Sequence, residues 1–383
     1  MNAMLIAFDA KRAAQNRTGL GNYSRYIVRT LNQFAPDNEY LLFIPNLKKA
    51  SQLSDLPNID GYTLVTPRTA VGRLFASVWR TMAITNELRR RKVDLYHGLS
   101  NELPLGIRRA GCRSIVTLHD VIFMHQPEYY KPIDRFIYRL KFRYAGMKAN
   151  RVITVSHFSK QELVRLLHIP ADKISVVYPG LYLDFSKVTE ADRTAVRTRY
   201  NLPSRFVLYV GTIEERKNML LVAQAMSIMQ KAGTLPDDMR VVLIGRHTPY
   251  TDTLQRYLSE NGLDWHFMFL HNVTFADLPA CYQLADVFVY PSRIEGFGSP
   301  MLEAAAAGVP AIGCTGSSLE EAGGQGAFYV EPDDAQAMAD RLLSLWGDEA
   351  LRKERSAMGL AHAERFSERR LFDDLMSVYN SLI

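Results

Sequence analysis

The stretch ADVFVYPSRIEGFGSPMLEAAAAGVPAIG (285–313) decides the fold. An apolar run, 285–290, ends at Pro291-Ser292. A turn follows, built on Gly296 and Gly298. Ser299 is a good N-cap and Pro300 a good first helical residue. The Ala-rich segment Met301–Ala307 stops at Gly308, and a second apolar run, 309–313, begins at once. Strand, loop, helix and strand in that order make one parallel crossover unit. Strands of a parallel sheet are buried on both faces, so they read as continuous apolar runs rather than alternating ones.

The same pattern extends in both directions. Upstream lie MLIAF (4–8), YLLFI (40–44), DLYHG (94–98), SIVTLHD (114–120), RVITVS (151–156) and ISVVYPG (174–180). A second series holds RFVLYVG (205–211), MRVVLIG (239–245), FMFLH (267–271) and the pair already quoted. Two series of alternating strands and helices predict an α/β protein of two doubly wound, Rossmann-like domains. The polar segment from Tyr182 to Pro203 separates them, which gives domains 1–183 and 184–366. A terminal amphipathic helix, 367–383, carries Leu371, Leu375, Val378, Tyr379 and Leu382 on one stripe.

Composition agrees. A chain of 383 residues is long for one core, and 47% apolar with 22% charged residues suits a soluble globular protein rather than a disordered one. No run of 18 apolar residues is present. The N-terminus MNAMLIAFDAKR reads as a first strand, not a signal peptide. Three scattered cysteines predict a reducing compartment, neither disulfides nor a zinc site, and a cytoplasmic location. The net charge of +6 is uneven. Residues 61–92 hold seven Lys/Arg against Glu87, and 131–151 hold seven against Asp134. Such faces meet nucleic acid, anionic membrane or acidic substrates, or simply face water. No nucleic-acid module accompanies them. Val71, Leu74, Phe75, Val78, Trp79 and Met82 follow helical spacing, with Arg73 and Arg80 opposite. This suits a basic helix lying on the inner face of an anionic membrane, and equally a packed helix.

Ligands of open parallel sheets sit beyond the carboxyl ends of the strands, so the informative residues lie in those loops. After 4–8 comes RTGLGNYSR, where Gly19 and Gly21 flank Leu20 just before a helix. It is neither a dinucleotide fingerprint nor a phosphate-binding P-loop. His119 and Asp120 follow the strand 114–118. Further on, Ser159 and Glu162 form a capping box at a helix start, with His157 incidental. Gly211 precedes Arg216 and Lys217, a pair suited to a diphosphate. Arg246 follows the strand 239–245, and Val273 follows 267–271. Amides of Gly296–Leu302 and the helix dipole favour a phosphate there. Glu303, one turn into that helix, can accept from ribose hydroxyls, while Glu295 in the loop reaches another part of the ligand. A nucleotide diphospho-sugar has hydroxyls at both ends and phosphates between, and so answers both carboxylates.

These segments together resemble the retaining GT-B glycosyltransferases of family GT4. The E-x7-E pair Glu295/Glu303 carries the resemblance most specifically. RTGLGNYSR, LHD, TVSHFSKQEL, VVYPG, YVGTIEERKN, VLIG and ADVFVYPS extend it along nearly the whole chain. The resemblance implies two domains facing across a cleft, with the last helix returning to the first. It implies that Glu303 binds the donor ribose and that Glu295 contacts the transferred sugar. Arg216 and Lys217 would hold the diphosphate, and His119 would touch the sugar near the reacting carbon. Gly19, Gly21 and Gly211 would allow close approach. Main-chain groups of Phe297, Gly298, Met301 and Leu302 would meet phosphate or sugar, and Arg246 and Val273 would flank the base. The chain has no Asp-x-Asp, so no metal and no further cofactor is expected. The mechanism implied is same-face attack with retention. RTGLGNYSRY and HDVIFMHQPEYY look most like bacterial mannosyltransferases that build O-antigen-type polysaccharide from GDP-mannose, with a polysaccharide or lipid-linked acceptor. One departure is GLG where many members have GG. A GT-B nucleotide-sugar epimerase and a non-catalytic sugar-nucleotide-binding subunit share the architecture and are the alternatives.

Overall fold

The computed structural model describes residues 3–53, 61–69 and 74–383. The chain forms two compact units, Met1–Tyr182 together with Phe366–Ile383, and Leu183–Arg365.

The first unit is built on β1 (Leu5–Asp9), β2 (Glu39–Phe43), β3 (Tyr62–Val65), β4 (Leu95–Gly98), β5 (Arg113–Thr117), β6 (Arg151–Thr154) and β7 (Ile174–Val176). They form a parallel sheet in the order β3-β2-β1-β4-β5-β6-β7. Ile6, Phe8, Leu42, Phe43, Ile115 and Val116 are fully buried, because helices cover both faces. Edge strand β3 is only half buried, and its YTLV gives no apolar run, which is why the sequence pattern misses it.

The second unit has β8 (Val207–Val210), β9 (Val241–Ile244), β10 (Phe267–Leu270), β11 (Val287–Tyr290), β12 (Ala311–Cys314) and β13 (Phe328–Val330). They too are parallel, in the order β10-β9-β8-β11-β12-β13. Three-residue β13 is the second strand missing from the apolar runs. In each sheet the order reverses beside the first strand, between β1 and β4 and between β8 and β11. Ligands of open parallel sheets bind beside such switch points. The last helix, Glu368–Asn380, capped by Ser367, packs within the first unit. Its Glu368 accepts from Arg29 and Thr30, and Leu371, Leu375, Val378 and Tyr379 are buried. Leu382 is only half buried.

Local details correct the sequence reading. The helix Gly19–Phe34 begins at Gly19, so both glycines lie in its first turn rather than before it. A Cβ on Gly21 would sit 1.9 Å from the carbonyl oxygen of Asn16, whereas one on Gly19 would meet nothing within 4 Å. Gly21 is there for the protein's own loop. The loop is clamped by buried Arg25, which donates to the carbonyls of Ala13 and Asn16 and to Asn22. Gly21→Ala should therefore cost about 1–3 kcal/mol, the usual range for overpacking. Gly19→Ala should be near neutral. Thermal unfolding of the two variants checks this, and equal Tm values would contradict it.

Helix His157–Leu167 is capped by Ser156, whose hydroxyl accepts from the amide of Ser159, and not by a Ser159–Glu162 box. Ser299 is the first helical residue of Ser299–Ala306, and the cap position is Gly298. In the basic stretch, Val71 and Arg73 lie outside the described residues. The chain is helical at Ala76–Val78, passes through a π-turn at Trp79–Ala83 and continues as Ile84–Arg91. The π-turn rotates Arg80 inward onto Asp9 and Glu102, so Arg80 does not lie on a solvent face. Trp79 stacks on Phe43, while Leu74, Phe75, Val78 and Met82 are exposed.

Candidate functional site

In the second unit the loops after β8 and β11 meet at the switch point. The amide of Arg293 donates to the carbonyl of Arg216, fastening one loop to the other. Glu214-Glu215-Arg216-Lys217 curls into a short 3-10 turn, and Asn218, in the left-handed region, starts the helix Met219–Lys231. That curl points Lys217 inward. Its ammonium sits 4.8 Å over the Tyr290 ring, donates to the Tyr290 hydroxyl at 2.6 Å and forms an ion pair with Glu295. Arg216 donates to Glu295 at 3.0 Å, to the carbonyl of Ile294 at 2.7 Å and to Glu214 at 2.8 Å. Ser292 adds a third donor to the same Glu295 oxygen, Oε1, at 2.6 Å.

Three of the expected site residues, Arg216, Lys217 and Glu295, are thus one cluster. Glu295 is 9% exposed and Lys217 8%. Burial pushes the Glu295 carboxyl up, but the charges of Lys217 and Arg216 and the hydrogen bonds of Lys217 and Ser292 outweigh it and hold the group at about 2. It is a firmly ionised, weakly basic carboxylate. Arg216 and Lys217 are not waiting cations: with Glu214 and Glu295 they form a neutral set of four charges.

Glu303 stands in a different environment. It is half buried one turn into the 299–306 helix and accepts from the Tyr282 hydroxyl at 2.7 Å. Burial raises its carboxyl to about 7, and the Tyr282 hydrogen bond only partly opposes this. Aromatic rings link its partner to that of Lys217. Tyr282 packs on Phe288, Phe288 stacks on Tyr290, and Tyr290 stacks on Tyr209. Phe288 and Tyr290, two apart on β11, share one face of the strand.

The remaining donor-side residues divide. Gly211, Arg246 and Val273 follow β8, β9 and β10, at the same sheet edge. Arg246 is exposed and Val273 half buried. Phe297, Met301 and Leu302 have core side chains, so only their main chain could meet a ligand. The amide of Met301 is not free as expected, since it donates to the carbonyl of Gly298. Gly298 has φ 92°, and a Cβ there would come 2.5 Å from the Leu319 side chain, so any other residue is strained at the turn.

In the first unit, His119 is buried beyond the end of β5. Its Nε2 lies 2.9 Å from the carbonyl of Leu99, which can only accept, so Nε2 carries the hydrogen and Nδ1 is left as an acceptor. Asn101 accepts from its amide, and Ser159 donates to its carbonyl. Burial holds the ring neutral by lowering its pKa. The Tyr23 ring meets it edge-on at 4.6 Å. Behind it runs a buried polar chain from Tyr23 through Thr117 and His97 to Tyr379 on the last helix. Burial lowers His97 to about 3.

Sequence reasoning misses Tyr282, Tyr290, Ser292, His97 and Arg25. Only Tyr290, two residues from Phe288 on an apolar strand, leaves a readable signal.

Comparison with known proteins agrees with this architecture. Residues 18–185 match the model of Glycosyltransferase Family 4, and residues 192–362 match that of Glycosyl transferases group 1. The chain is 30% identical over 397 aligned positions to O-antigen chain mannosyltransferase B of Escherichia coli, covering 99% of this chain and 100% of that one. It is 26% identical to a GDP-mannose-dependent alpha-(1-6)-phosphatidylinositol monomannoside mannosyltransferase of Mycolicibacterium smegmatis, over 89% of each chain. Two solved structures share the fold over 99% of this chain. Sucrose-phosphate synthase of Thermosynechococcus elongatus has a TM-score of 0.78 at 19% identity, with 99% of its chain covered. HepE of Anabaena, in complex with UDP and glucose, has 0.76 at 18%, with its whole chain covered. The protein belongs to the group 1, family 4 glycosyltransferases, with the GT-B fold of two Rossmann-like domains.

Proposed function

We propose that the protein is a retaining, metal-independent hexosyltransferase that moves mannose from GDP-mannose onto a growing surface polysaccharide or a lipid-linked oligosaccharide. The observation that carries this reading is the buried cluster of Arg216, Lys217 and Glu295 at the β8/β11 switch point, with Glu303 on the adjoining helix. The mannosyltransferase names among the full-length relatives support the choice of sugar.

In this reading the diphosphate lies between Arg216, Lys217 and the amino end of the 299–306 helix, whose dipole favours an anion. The base lies toward Arg246 and Val273. Glu303 accepts from the ribose hydroxyls. Glu295 Oε1 is saturated by three donors, and Oε2 carries none of those bonds. Oε2 is therefore the oxygen that accepts from a hydroxyl of the transferred sugar. The resemblance gives His119, whose neutral ring keeps Nδ1 as an acceptor, the role of contacting the sugar. A carboxylate held at about 2 and locked to two cations is a poor nucleophile, which favours same-face attack over double displacement. The acceptor oxygen bonds to the anomeric carbon as the phosphate oxygen leaves, and the departing phosphate takes the acceptor proton. Arg216 and Lys217 stabilise the charge that develops on it.

The test is a donor panel of GDP-mannose, UDP-glucose, UDP-GlcNAc, UDP-galactose and dTDP-rhamnose in EDTA, read by thermal shift and slow donor hydrolysis. GDP-mannose alone should stabilise the protein and turn over. Silence with every donor would remove the reading.

The same reading places the enzyme on the inner face of the cytoplasmic membrane. Among the described residues no helix is long and apolar enough to span a bilayer. Helix Pro132–Lys148 nevertheless exposes Ile133, Phe136, Ile137, Leu140 and Met147 at helical spacing, beside Lys131, Arg135, Arg139, Lys141, Arg143 and Lys148. That pattern suits an interfacial helix better than the stretch from 71 to 82 does. The protein should float with anionic vesicles at low salt, and Phe136→Glu should abolish flotation. Flotation that survives Phe136→Glu would contradict the assignment.

A further inference from the structure

The first unit contains a cavity that the donor reading does not use. It encloses about 340 Å³, within the range of sites for small organic ligands. It lies at the other switch point, between the ends of β1 and β4, where Asp9 and Glu102 are placed. Its walls are Leu103, Pro104, Leu105 and Leu140, with the rings of Tyr96 and Tyr144. The floor is charged but self-neutralised. Arg80, turned inward by the π-turn, pairs with both Asp9 and Glu102, and Lys141 lies 3.4 Å from Glu102. The two cations and two carboxylates of the floor are thus paired with one another, and the rest of the lining is largely apolar.

Its walls are fixed in place. The amide of Leu105 donates to the carbonyl of Thr81, Thr85 donates to the carbonyl of Leu105, and Tyr144 accepts from the amide of Gly106. Leu140 and Leu105 belong to the cavity and are also 54% and 47% exposed. Leu140 is at the same time part of the apolar stripe of helix 132–148. The exposed stripe thus runs into the cavity mouth, and basic side chains border it. A surface that meets an anionic bilayer and continues into a preformed apolar cavity is suited to one occupant, the hydrocarbon chain of a membrane amphiphile.

We infer that this cavity takes the proximal hydrocarbon of a lipid-linked acceptor, which makes the acceptor an amphiphile rather than a free polysaccharide. The inference rests on the transferase reading above. Apolar walls hold the chain, and its charged head remains at the basic rim.

The test compares dodecyl α-mannoside, kept below its critical micelle concentration, with methyl α-mannoside by calorimetric titration. The head group is common to both, so the ratio of affinities reports the chain. The dodecyl compound should bind the full-length protein about a hundredfold more tightly, as burial of only a few methylenes would give. Leu105→Trp and Leu140→Trp, each at a partly exposed wall position, should remove most of that gain. Their stabilisation by GDP-mannose should stay at the wild-type level, which also shows that they fold. Equal binding of the two glycosides would overturn the inference. So would a gain that survives both tryptophans but is lost in Phe136→Glu, since the chain would then lie on the helix surface. Chain selectivity in a protein that answers no donor would uphold the cavity while the transferase reading failed. A donor response without chain selectivity would do the reverse.

Discussion

Lys217→Met should reduce donor turnover by about a hundred- to a thousandfold, the usual effect of removing one preorganised group from a developing negative charge. Lys217 donates to Tyr290 and to Glu295 inside a buried cluster, so the substitution also leaves the Glu295 carboxylate with one cation, Arg216, beside the Ser292 hydroxyl. Breaking a buried pair on one side costs about 3–5 kcal/mol, because the surviving charge loses its compensation. The loss of activity could therefore be mistaken for loss of fold. The double variant Lys217→Met/Glu295→Gln separates the two. It removes both charges, so much of the stability should return while turnover stays at the level of the single variant. Urea unfolding and turnover measured on all three variants check this. A double variant that regained activity would show that the cluster is scaffolding only.

The second large effect is a pH dependence of donor binding that belongs to Glu303. Its carboxyl is raised to about 7 by burial, from about 4.3 in an unfolded chain. The sign follows from that order. Below pH 4 both states are protonated and the group contributes nothing. As pH rises from about 4 to 7 the unfolded chain ionises first, so the apo fold loses stability across that window. A ribose hydroxyl donates best to the ionised form, so the bound ligand lowers the pKa and a proton is released. Affinity should therefore rise from pH 6 to pH 8 by about tenfold, near the limit of one unit of proton linkage, and level off above. Nucleotide sugars have no titrating phosphate in this range, so the slope reports the protein. Glu303→Gln should flatten the profile and bind at least about tenfold more weakly at pH 8, as expected when a hydrogen bond to a charged group is lost. Titrations in two buffers of different ionisation enthalpy measure the proton directly. A flat wild-type profile would show that the ligand does not reach Glu303.

Much of this was legible in the residues. Strands buried on both faces give apolar runs, so eleven segments can be read directly, whereas β3, with its two outward residues, and three-residue β13 cannot. The pair Glu295 and Glu303 stands out by spacing and surroundings. What spacing could not give is the state of those carboxylates. One is held near 2 by two cations that lie 78 and 79 positions away in sequence, and the other is raised near 7 by burial, against the opposing hydrogen bond of a tyrosine 21 positions away. Such contacts arise where loops from different strands converge, and no local pattern records them. Arg80 shows the converse. Helical spacing sent it to the solvent, and one π-turn together with two distant carboxylates brought it inward. The stripe on helix 132–148 was visible only as charge, because its apolar residues look like core residues until the structure leaves them exposed.

The most direct test of the central claim is titration of GDP-mannose and GDP, in EDTA, into the wild type and into Lys217→Met. Wild type should bind both without metal, and Lys217→Met should bind each at least about a hundredfold more weakly, as loss of one buried charged contact to phosphate predicts. Binding that needs a divalent metal, or that is equal in the two proteins, would contradict the claim that the cluster at the β8/β11 switch point holds the donor diphosphate.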